Sequence, residues 1–131
     1  MKPSYRFRKA EKLSAEKQIQ KLFDLGTSFH SYPFRVVWMK TEEVMAKQSA
    51  IGISVPKRKF KNAVDRNRIK RLIREAYRLQ KSTLLSFLEE KEIKIVFMVL
   101  YTHNEILDFE TIERKISAML LRLQKEVELT R

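Results

Sequence analysis

The sequence has no cysteine, only two glycines and only three prolines among its 131 residues. Without cysteine there is no disulfide framework, no thiolate nucleophile and no cysteine-ligated zinc site. With two glycines there is no glycine-rich loop to cradle the phosphates of a nucleotide. No run approaches the ~18 apolar residues that span a bilayer, and the basic N-terminus lacks the following apolar segment of a signal peptide. We therefore expect a cytoplasmic protein that does not contact a membrane.

The remaining composition is that of a globular protein. Apolar residues make up 44% of the chain and aromatic residues 10%, which is enough to build a core without metals or disulfides. No repeat, low-complexity tract or linker interrupts the chain. We therefore expect a single domain over residues 1–131. Residues 1–12 are expected to form a basic, flexible N-terminal tail.

The positive charge is concentrated in one segment. Residues 57–81 hold eleven of the 28 Lys and Arg residues and two acids, which gives +9 of the formal net charge of +12. Residues 1–12 carry +4, residues 13–56 carry +1 and residues 82–131 carry −2. A local excess of this kind creates a positive field that attracts a polyanion, and nucleic acid is the favoured partner.

Hydrophobic periodicity predicts the element order α-β-β-α-β-α. A first helix is expected to be capped by Ser14 and ended by Gly26. Strands are expected over residues 34–39 and 50–55, joined by a hairpin connection over 40–49, and a buried strand over 93–100. A long helix is expected over residues 63–90, starting at a weak capping box formed by Asn62 and Asp65, and a last helix over 109–129. This order describes an α+β domain with a small mixed sheet.

The long helix has two chemically different sides. At about 100° per residue, its apolar side holds Ile69, Leu72, Ile73, Ala76 and Leu79. The opposite side holds Lys70, Arg71, Arg74, Arg78 and Lys81, with Asn67 among them and Arg66 and Arg68 at the edges. Arginine forks suit phosphate contacts, so we interpret the cationic side as a nucleic-acid surface and not as a merely solvated face.

The residues AVDRNRIKRLIREAYR, at 63–78, make the interpretation more specific. The triplet Arg66-Asn67-Arg68, followed by Ile69-Lys70-Arg71 and Arg74-Glu75, resembles the signature of the bacterial ribonuclease P protein subunit family. The preceding residues GISVPKRKFKNAV are similar in kind, and the likeness extends over roughly residues 10–127, including the spacing of Leu13, Phe23, Gly26 and Phe34.

The resemblance implies a compact α–β sandwich with a left-handed β-α-β crossover, an exception to the usual handedness. It implies a protein that binds a catalytic RNA and the single-stranded 5′ leader of precursor tRNA, and that assists removal of the leader. The partners are then ribonuclease P RNA and precursor tRNA, with no obligate protein partner. No cofactor is expected on the protein, and Mg²⁺ is required by the ribonucleoprotein holoenzyme.

Two sets of binding residues follow from the resemblance. The RNA-subunit set comprises Lys57, Arg58, Lys59, Arg66, Asn67, Arg68, Lys70, Arg71, Arg74 and Arg78. The leader set comprises Ile19, Phe23, Tyr32, Val37 and Trp38. Ile19 and Val37 stand where the family commonly has aromatic residues, so Tyr32 and Trp38 are expected to supply stacking in their place. The alternative for Phe23, Phe34 and Trp38 is core packing.

We expect no catalytic residue and no metal ligand on the protein. His30 and His103 are isolated in the sequence, and the acidic pairs Glu42-Glu43 and Glu89-Glu90 lie among lysines, so neither a general acid–base pair nor a metal cluster is indicated. A ribosomal RNA-binding protein is the main rival in size and charge. A DNA-binding domain is disfavoured because strands precede the basic helix, and a membrane-surface protein because its apolar side is core-like and no lipidation signal is present.

Overall fold

The computed structural model describes residues 16–43 and 47–130. Its elements, in chain order, are α1 (Glu16–Leu25), β1 (Thr27–Ser31), β2 (Phe34–Lys40), β3 (Ser49–Ser54), α2 (Ala63–Lys91), β4 (Ile95–Tyr101) and α3 (Phe109–Leu129). The predicted basic tail and the predicted Ser14 cap lie outside the described residues. The expected α+β order is confirmed, with one additional strand.

The four strands form a mixed sheet in the order β1-β2-β4-β3. Strand β2 pairs antiparallel with β1 and with β4, whereas β3 pairs parallel with β4. The predicted hairpin between the second and third strands is wrong, because β4 lies between them. A strand covered on both faces belongs in the middle of a sheet, and β4 has six buried positions out of seven. Helix α2 is therefore the crossover that joins two parallel neighbours, and its hand stays a prediction.

Strand β1 was missed because its sequence, TSFHS, is polar. Only Phe29 of this strand is buried, as is typical of an edge strand with one side chain reaching the core. A turn at Tyr32-Pro33, whose peptide bond is cis, returns the chain antiparallel into β2.

The two faces of the sheet support different layers. The face that we call the helix-pair face packs against α2 and α3, and its residues include Trp38, Ile51, Phe97 and Val99. The opposite face, which we call the α1 face, packs Val37, Ala50, Val96 and Met98 against Leu22 of α1. Alternation along each strand produces this division, since successive side chains point to opposite faces. The result is a three-layer arrangement with the sheet in the middle.

Gly26 allows α1 to lie close to the sheet. Its N–H donates to the carbonyl oxygen of Leu22 at 2.7 Å. A Cβ at this position would lie 2.4 Å from that same oxygen, 2.8 Å from Cγ1 of Val37 and 3.0 Å from the carbonyl oxygen of Trp38. Two of these neighbours are backbone atoms that cannot move away cheaply. Any larger residue would therefore push α1 off the sheet.

The ends of α2 and α3 are capped in different ways, and the start of α2 differs from the prediction. Asn62 is the N-cap of α2, but its side chain makes no capping hydrogen bond, so the predicted capping box does not form. At the C-terminal end, Glu92 is left-handed at φ 56°, and its N–H group reaches back to the last turn. Asp108 is the N-cap of α3, and its carboxylate accepts from the N–H of Thr111 at 2.8 Å. Hydrogen bonding to Thr111 lowers the pKa of Asp108.

Candidate nucleic-acid interface

Helix α2 presents a row of cations along its outer side. Arg68, Arg71 and Arg74 are exposed, while Lys70 is half-buried. Asn67 is exposed beside Arg68. The buried positions of α2 are Ile69, Ile73, Ala76, Tyr77, Lys81, Leu84 and Leu88. The predicted division into a docked and a presented side is therefore confirmed for the first half of the helix.

Two positions of α2 were assigned to the wrong side. Lys81 was predicted on the presented side and is only 2% exposed, whereas Leu79 was predicted on the docked side and is 37% exposed. Buried residues recur every four positions from Ile69 to Lys81, and each step of four advances the position by about 40° around a helix. The line of buried residues therefore turns gradually around the axis of α2. A single helical wheel for the whole helix assigns residues in its second half to the wrong side.

Glu75 neutralises part of the cationic row. Its carboxylate accepts from Nη2 of Arg78 at 2.6 Å and from Nε at 3.1 Å. The hydrogen bond to Arg78 lowers the pKa of Glu75, and the same interaction raises the pKa of Arg78. This fork-to-fork geometry is the strong form of an arginine–carboxylate pair, so Arg78 is occupied by a neighbour on its own helix. Of the cations predicted for RNA binding on α2, Arg68, Arg71 and Arg74 are the ones presented to solvent.

Arg66 points toward the preceding loop. Its Nη1 donates to the carbonyl oxygens of Phe60 at 2.7 Å and Lys61 at 2.9 Å. A guanidinium has five N–H donors, so Arg66 retains others for a ligand. Its first role is nonetheless to hold the loop of residues 56–61, which we call the basic loop, against the start of α2.

The basic loop is fastened at two further points. The ring of Phe60 is buried and lies 6.0 Å from that of Tyr101. The ammonium of Lys59 donates to the carbonyl oxygen of Thr102 at 2.6 Å, which ties the loop to the end of β4. Lys57 and Arg58 are exposed on this anchored segment, so their charges are presented from a fixed backbone.

A pocket of about 200 Å³ lies where the basic loop meets the sheet. Arg58 and Lys59 line it together with Arg35 of β2 and Ser54 of β3. Arg35 was not predicted as a site residue. The sequence did contain a signal for Arg35, which is the charged residue among the apolar residues 34–39. If this face of the strand were fully covered, an apolar residue would be expected there.

The predicted leader residues do not all reach one surface. Ile19 and Phe23 are one helical turn apart on α1, and residues at this spacing lie on the same side. Ile19 packs on the α1 face, and Phe23 is 43% exposed. Val37 lies beneath α1 and is 3% exposed, so it forms the floor of this region and not a stacking surface. Phe23 is the aromatic side chain of α1 that is accessible to a base.

Trp38 belongs to the core, so it cannot stack on a base of the leader as predicted. It is 1% exposed and lies on the helix-pair face, on the opposite side of the sheet from Phe23. The cause is the alternation of β2, which places Val37 on the α1 face and the next residue on the other. Its indole Nε1 has no hydrogen-bond partner among the described residues.

Because Trp38 is the only tryptophan, its fluorescence reports on this position alone. We expect the emission of a buried indole, and no change when a single-stranded leader oligonucleotide is added, since a base cannot stack on a side chain inside the core. Titration of the folded protein with the oligonucleotide, followed by an independent label on the RNA to verify binding, measures this. Quenching or a red shift of Trp38 upon binding would contradict its placement.

Tyr32 is the second accessible aromatic residue of the predicted leader set. It lies in the β1–β2 turn, is 58% exposed, and its hydroxyl is in hydrogen-bond contact with Nδ1 of His103. The rings of Tyr32 and His103 meet edge to face with centroids 5.5 Å apart, and the ring of His103 lies 6.5 Å from that of Tyr101. His103 is isolated in the sequence, so its position between two tyrosines could not be predicted. Burial raises the pKa of Tyr101.

Acidic and histidine side chains do not gather in the part of the chain that the structure describes. Over residues 16–43 and 47–130, no three His, Asp or Glu residues are placed to hold a metal ion. No helix in these ranges has the length and apolarity that a membrane crossing requires.

Comparison with known proteins gives a consistent result. The family model described as Ribonuclease P matches residues 7–124. The ribonuclease P protein component of Porphyromonas gingivalis is 38% identical over 125 residues, covering 95% of this chain and 91% of that protein. The structure of the Staphylococcus aureus RNase P protein superposes with a TM-score of 0.70 at 26% identity, covering 89% of this chain and 97% of the other. A mutant of the S. aureus protein with defective mRNA degradation activity gives a TM-score of 0.71 at 26% identity, covering 89% and 90%.

Proposed function

This chain belongs to the ribonuclease P protein family, and from that premise we propose that it binds the catalytic RNA of ribonuclease P and the 5′ leader of precursor tRNA. Family membership makes it a subunit of an endoribonuclease holoenzyme that processes tRNA. The proposal assigns the cleavage chemistry and the requirement for Mg²⁺ to the RNA subunit, and places the assembly in the cytoplasm. The protein then contributes affinity and positioning.

The observation that carries the proposal is the exposed cationic row of α2. Arg68, Arg71 and Arg74 project from a helix whose other side is fixed to the sheet through Ile69 and Ile73. Exposed like charges on one rigid surface repel each other, and binding of a polyanion relieves this repulsion. Since the backbone of α2 is held by the core, the three guanidinium groups are preorganised to contact successive phosphates of a structured RNA.

A second, separate surface supports the assignment of two RNA ligands. Helix α2 packs on the helix-pair face of the sheet, whereas α1, with Phe23, packs on the opposite face. A ligand bound along α2 therefore leaves Phe23 accessible. We assign α2 to the RNA subunit and the α1 side to the leader, because an exposed aromatic ring beside a strand-lined surface suits unstacked bases.

Reconstitution tests the proposal. With a bacterial ribonuclease P RNA at low magnesium, the protein is expected to raise kcat/KM for precursor tRNA by about tenfold or more, equivalent to ~1.4 kcal/mol of transition-state stabilisation. The measurement is single-turnover cleavage at the mature 5′ end, with an unrelated basic protein of similar charge as control. No stimulation by folded protein, or equal stimulation by the control, would refute the proposal.

The same assay includes the protein without RNA subunit, on precursor tRNA and on an mRNA. We expect no cleavage of either, since no group of three His, Asp or Glu residues over 16–43 and 47–130 is placed to hold a catalytic metal ion. The mRNA is included because of the mRNA degradation activity of the S. aureus protein. Cleavage of mRNA by this protein alone would establish a second activity.

A further inference from the structure

We propose that the pocket between the sheet and the basic loop is a phosphate-binding subsite for single-stranded RNA, in which Arg35, Ser54 and Arg58 hold a phosphodiester of the leader. The inference rests on the proposed function, because it deepens the leader-binding side of that function. It adds two residues, Arg35 and Ser54, that belong to neither of the two predicted sets of binding residues.

The strand register places the pocket next to the region covered by α1. Arg35 of β2 and Ser54 of β3 both pair with Leu100 of β4, so the three side chains form one row across the sheet. Each is two residues from a member of the neighbouring row, Val37, Gly52 and Met98, and residues two apart share a face. The row of Arg35 therefore lies on the α1 face, next to the row of Val37 and Met98 that packs beneath α1.

Helix α1 packs mainly over the other two rows of the face. Its buried residue Leu22 clusters with Val37, Ala50, Val96 and Met98, and Leu100 in the middle of the Arg35 row packs against the edge of this cluster. At the β2 end of the row the surface becomes cationic, because Arg35 is exposed. A strand of RNA that lies along this face from Phe23 therefore meets the Arg35 row next.

The charges around the pocket favour an anion. Arg35, Arg58 and Lys59 line it, and no acidic residue is among the described residues that do. Lys59 uses one of its three donors on the carbonyl oxygen of Thr102, whereas the guanidinium groups of Arg35 and Arg58 make no hydrogen bond or ion pair within residues 16–43 and 47–130. Two guanidinium groups without a counter-charge at the mouth of one pocket repel each other, and a bound anion removes that repulsion.

The chemistry of the lining identifies the anion as a phosphodiester. Guanidinium forks pair with two phosphate oxygens at once, and the hydroxyl of Ser54 adds a neutral donor. A water molecule occupies about 30 Å³ in the liquid, so a pocket of about 200 Å³ accepts a group several waters in size. Thr102 lines the pocket and precedes His103, which contacts the exposed ring of Tyr32. A base adjacent to the bound phosphate thus has an aromatic surface nearby on which to stack.

The position of the pocket distinguishes the leader from the RNA subunit as the source of the phosphate. It opens on the α1 face, together with Phe23, whereas the cationic row of α2 belongs to the helix layer on the other side. Arg58 was predicted to bind the RNA subunit. Because it lines the pocket together with Arg35, we assign it instead to binding of the leader. The anchoring of the basic loop by Lys59 and Arg66 is then what holds Arg58 at the pocket.

A leader-length series in the reconstituted holoenzyme tests the inference. One precursor tRNA carries a leader of about two nucleotides and the other of roughly ten, within the range of single-strand binding sites. Arg35→Gln is expected to weaken binding of the long-leader substrate by about tenfold, the magnitude of one charge-assisted hydrogen bond. Its affinity for the short-leader substrate is expected to change less than twofold. Arg35→Lys should fall between, and Ser54→Ala should cost a few-fold on the long leader only.

The matched control is Arg114→Gln, because Arg114 is an exposed arginine of α3 that does not line this pocket. It should leave the affinities for the long-leader and short-leader substrates unchanged. Equal effects of Arg35→Gln on both leaders, or no effect on either, would overturn the inference. A loss of affinity for the RNA subunit would instead place its phosphate in the pocket, and would also overturn the assignment. Thermal melting verifies that each variant folds.

A second measurement separates this inference from the proposed function. A labelled single-stranded RNA oligonucleotide is titrated with the protein alone at low salt, for wild type, Arg35→Gln and Arg114→Gln. Selective weakening by Arg35→Gln supports the pocket even if the protein fails to stimulate ribonuclease P RNA, in which case the proposed function falls and the subsite stands. Stimulation without any oligonucleotide effect of Arg35→Gln leaves the proposed function intact and removes the subsite.

Discussion

Replacing Arg68, Arg71 and Arg74 together by alanine is expected to weaken binding of ribonuclease P RNA by about a thousandfold. A charge-assisted hydrogen bond contributes about 1.5–3 kcal/mol, and roughly 1.4 kcal/mol corresponds to tenfold in affinity, so three such bonds give at least three powers of ten. The salt dependence should fall as well, by about one unit of log–log slope for each phosphate that the variant no longer neutralises. Filter binding over a series of salt concentrations measures both effects.

The matched control is a second triple variant, Lys91→Ala, Arg114→Ala and Lys125→Ala. These three residues are also exposed, and either triple lowers the formal net charge from +12 to +9. The control should change affinity about twofold or less, because Lys91 is at the C-terminal end of α2 and Arg114 and Lys125 are on α3, outside the cationic row. Equal weakening by the two triples would mean that RNA responds to total charge and not to the surface of α2.

Stability provides an internal check on the same variant. Removing three mutually repelling cations from one helix side relieves unfavourable charge density in the free protein, and alanine has the best helix propensity. The melting temperature of the α2 triple variant is therefore expected to stay the same or rise. A loss of affinity accompanied by a lower melting temperature would point to damage of the fold.

The sequence predicted the elements whose signals are strong and local. Helix α3 was predicted from apolar residues that recur at helical spacing, and these residues are buried at every position: Ile112, Ile116, Leu120, Leu123 and Val127. The apolar run of β4 was recognised as a strand covered on both faces. In each case a long periodic or continuous apolar pattern decides the structure, because burial of that pattern dominates the free energy of the segment.

The sequence did not predict the features that depend on neighbours distant in the chain. The position of β4 between β2 and β3 requires a pairing partner more than forty residues away, so the expected hairpin was wrong. Trp38 and Val37 both suit a strand, and which one faces α1 depends on the register of the sheet. Arg66 and Arg68 look equivalent in the motif, yet one fastens the basic loop and the other is exposed. The pocket of Arg35 combines residues from three strands and the basic loop, which no local pattern contains.

Phe97→Ala is expected to destabilise the protein by about 3–5 kcal/mol, the usual cost of deleting a buried aromatic side chain. Phe97 is fully buried in β4, with Trp38 and Ile51 as its partners on the adjoining strands. Its ring meets that of Tyr77 of α2 edge to face at 6.0 Å, so the substitution weakens packing within the sheet and between the sheet and the basic helix. Domains of this kind have a total stability of about 5–15 kcal/mol, and the melting temperature should fall by roughly 15 °C.

The matched control is Phe87→Ala, because Phe87, which lies on α2, packs against the same core but is only partly buried. It should cost less than half as much, since its side chain buries less apolar surface on folding. Well below its melting temperature, Phe97→Ala should still bind ribonuclease P RNA with nearly wild-type affinity, because Arg68, Arg71 and Arg74 are unchanged. A cost below about 1 kcal/mol in denaturant unfolding would show that Phe97 does not join the sheet to α2. Loss of RNA binding in a variant that remains folded would instead mean that the packing of Phe97 on Tyr77 sets the angle at which α2 presents its cations.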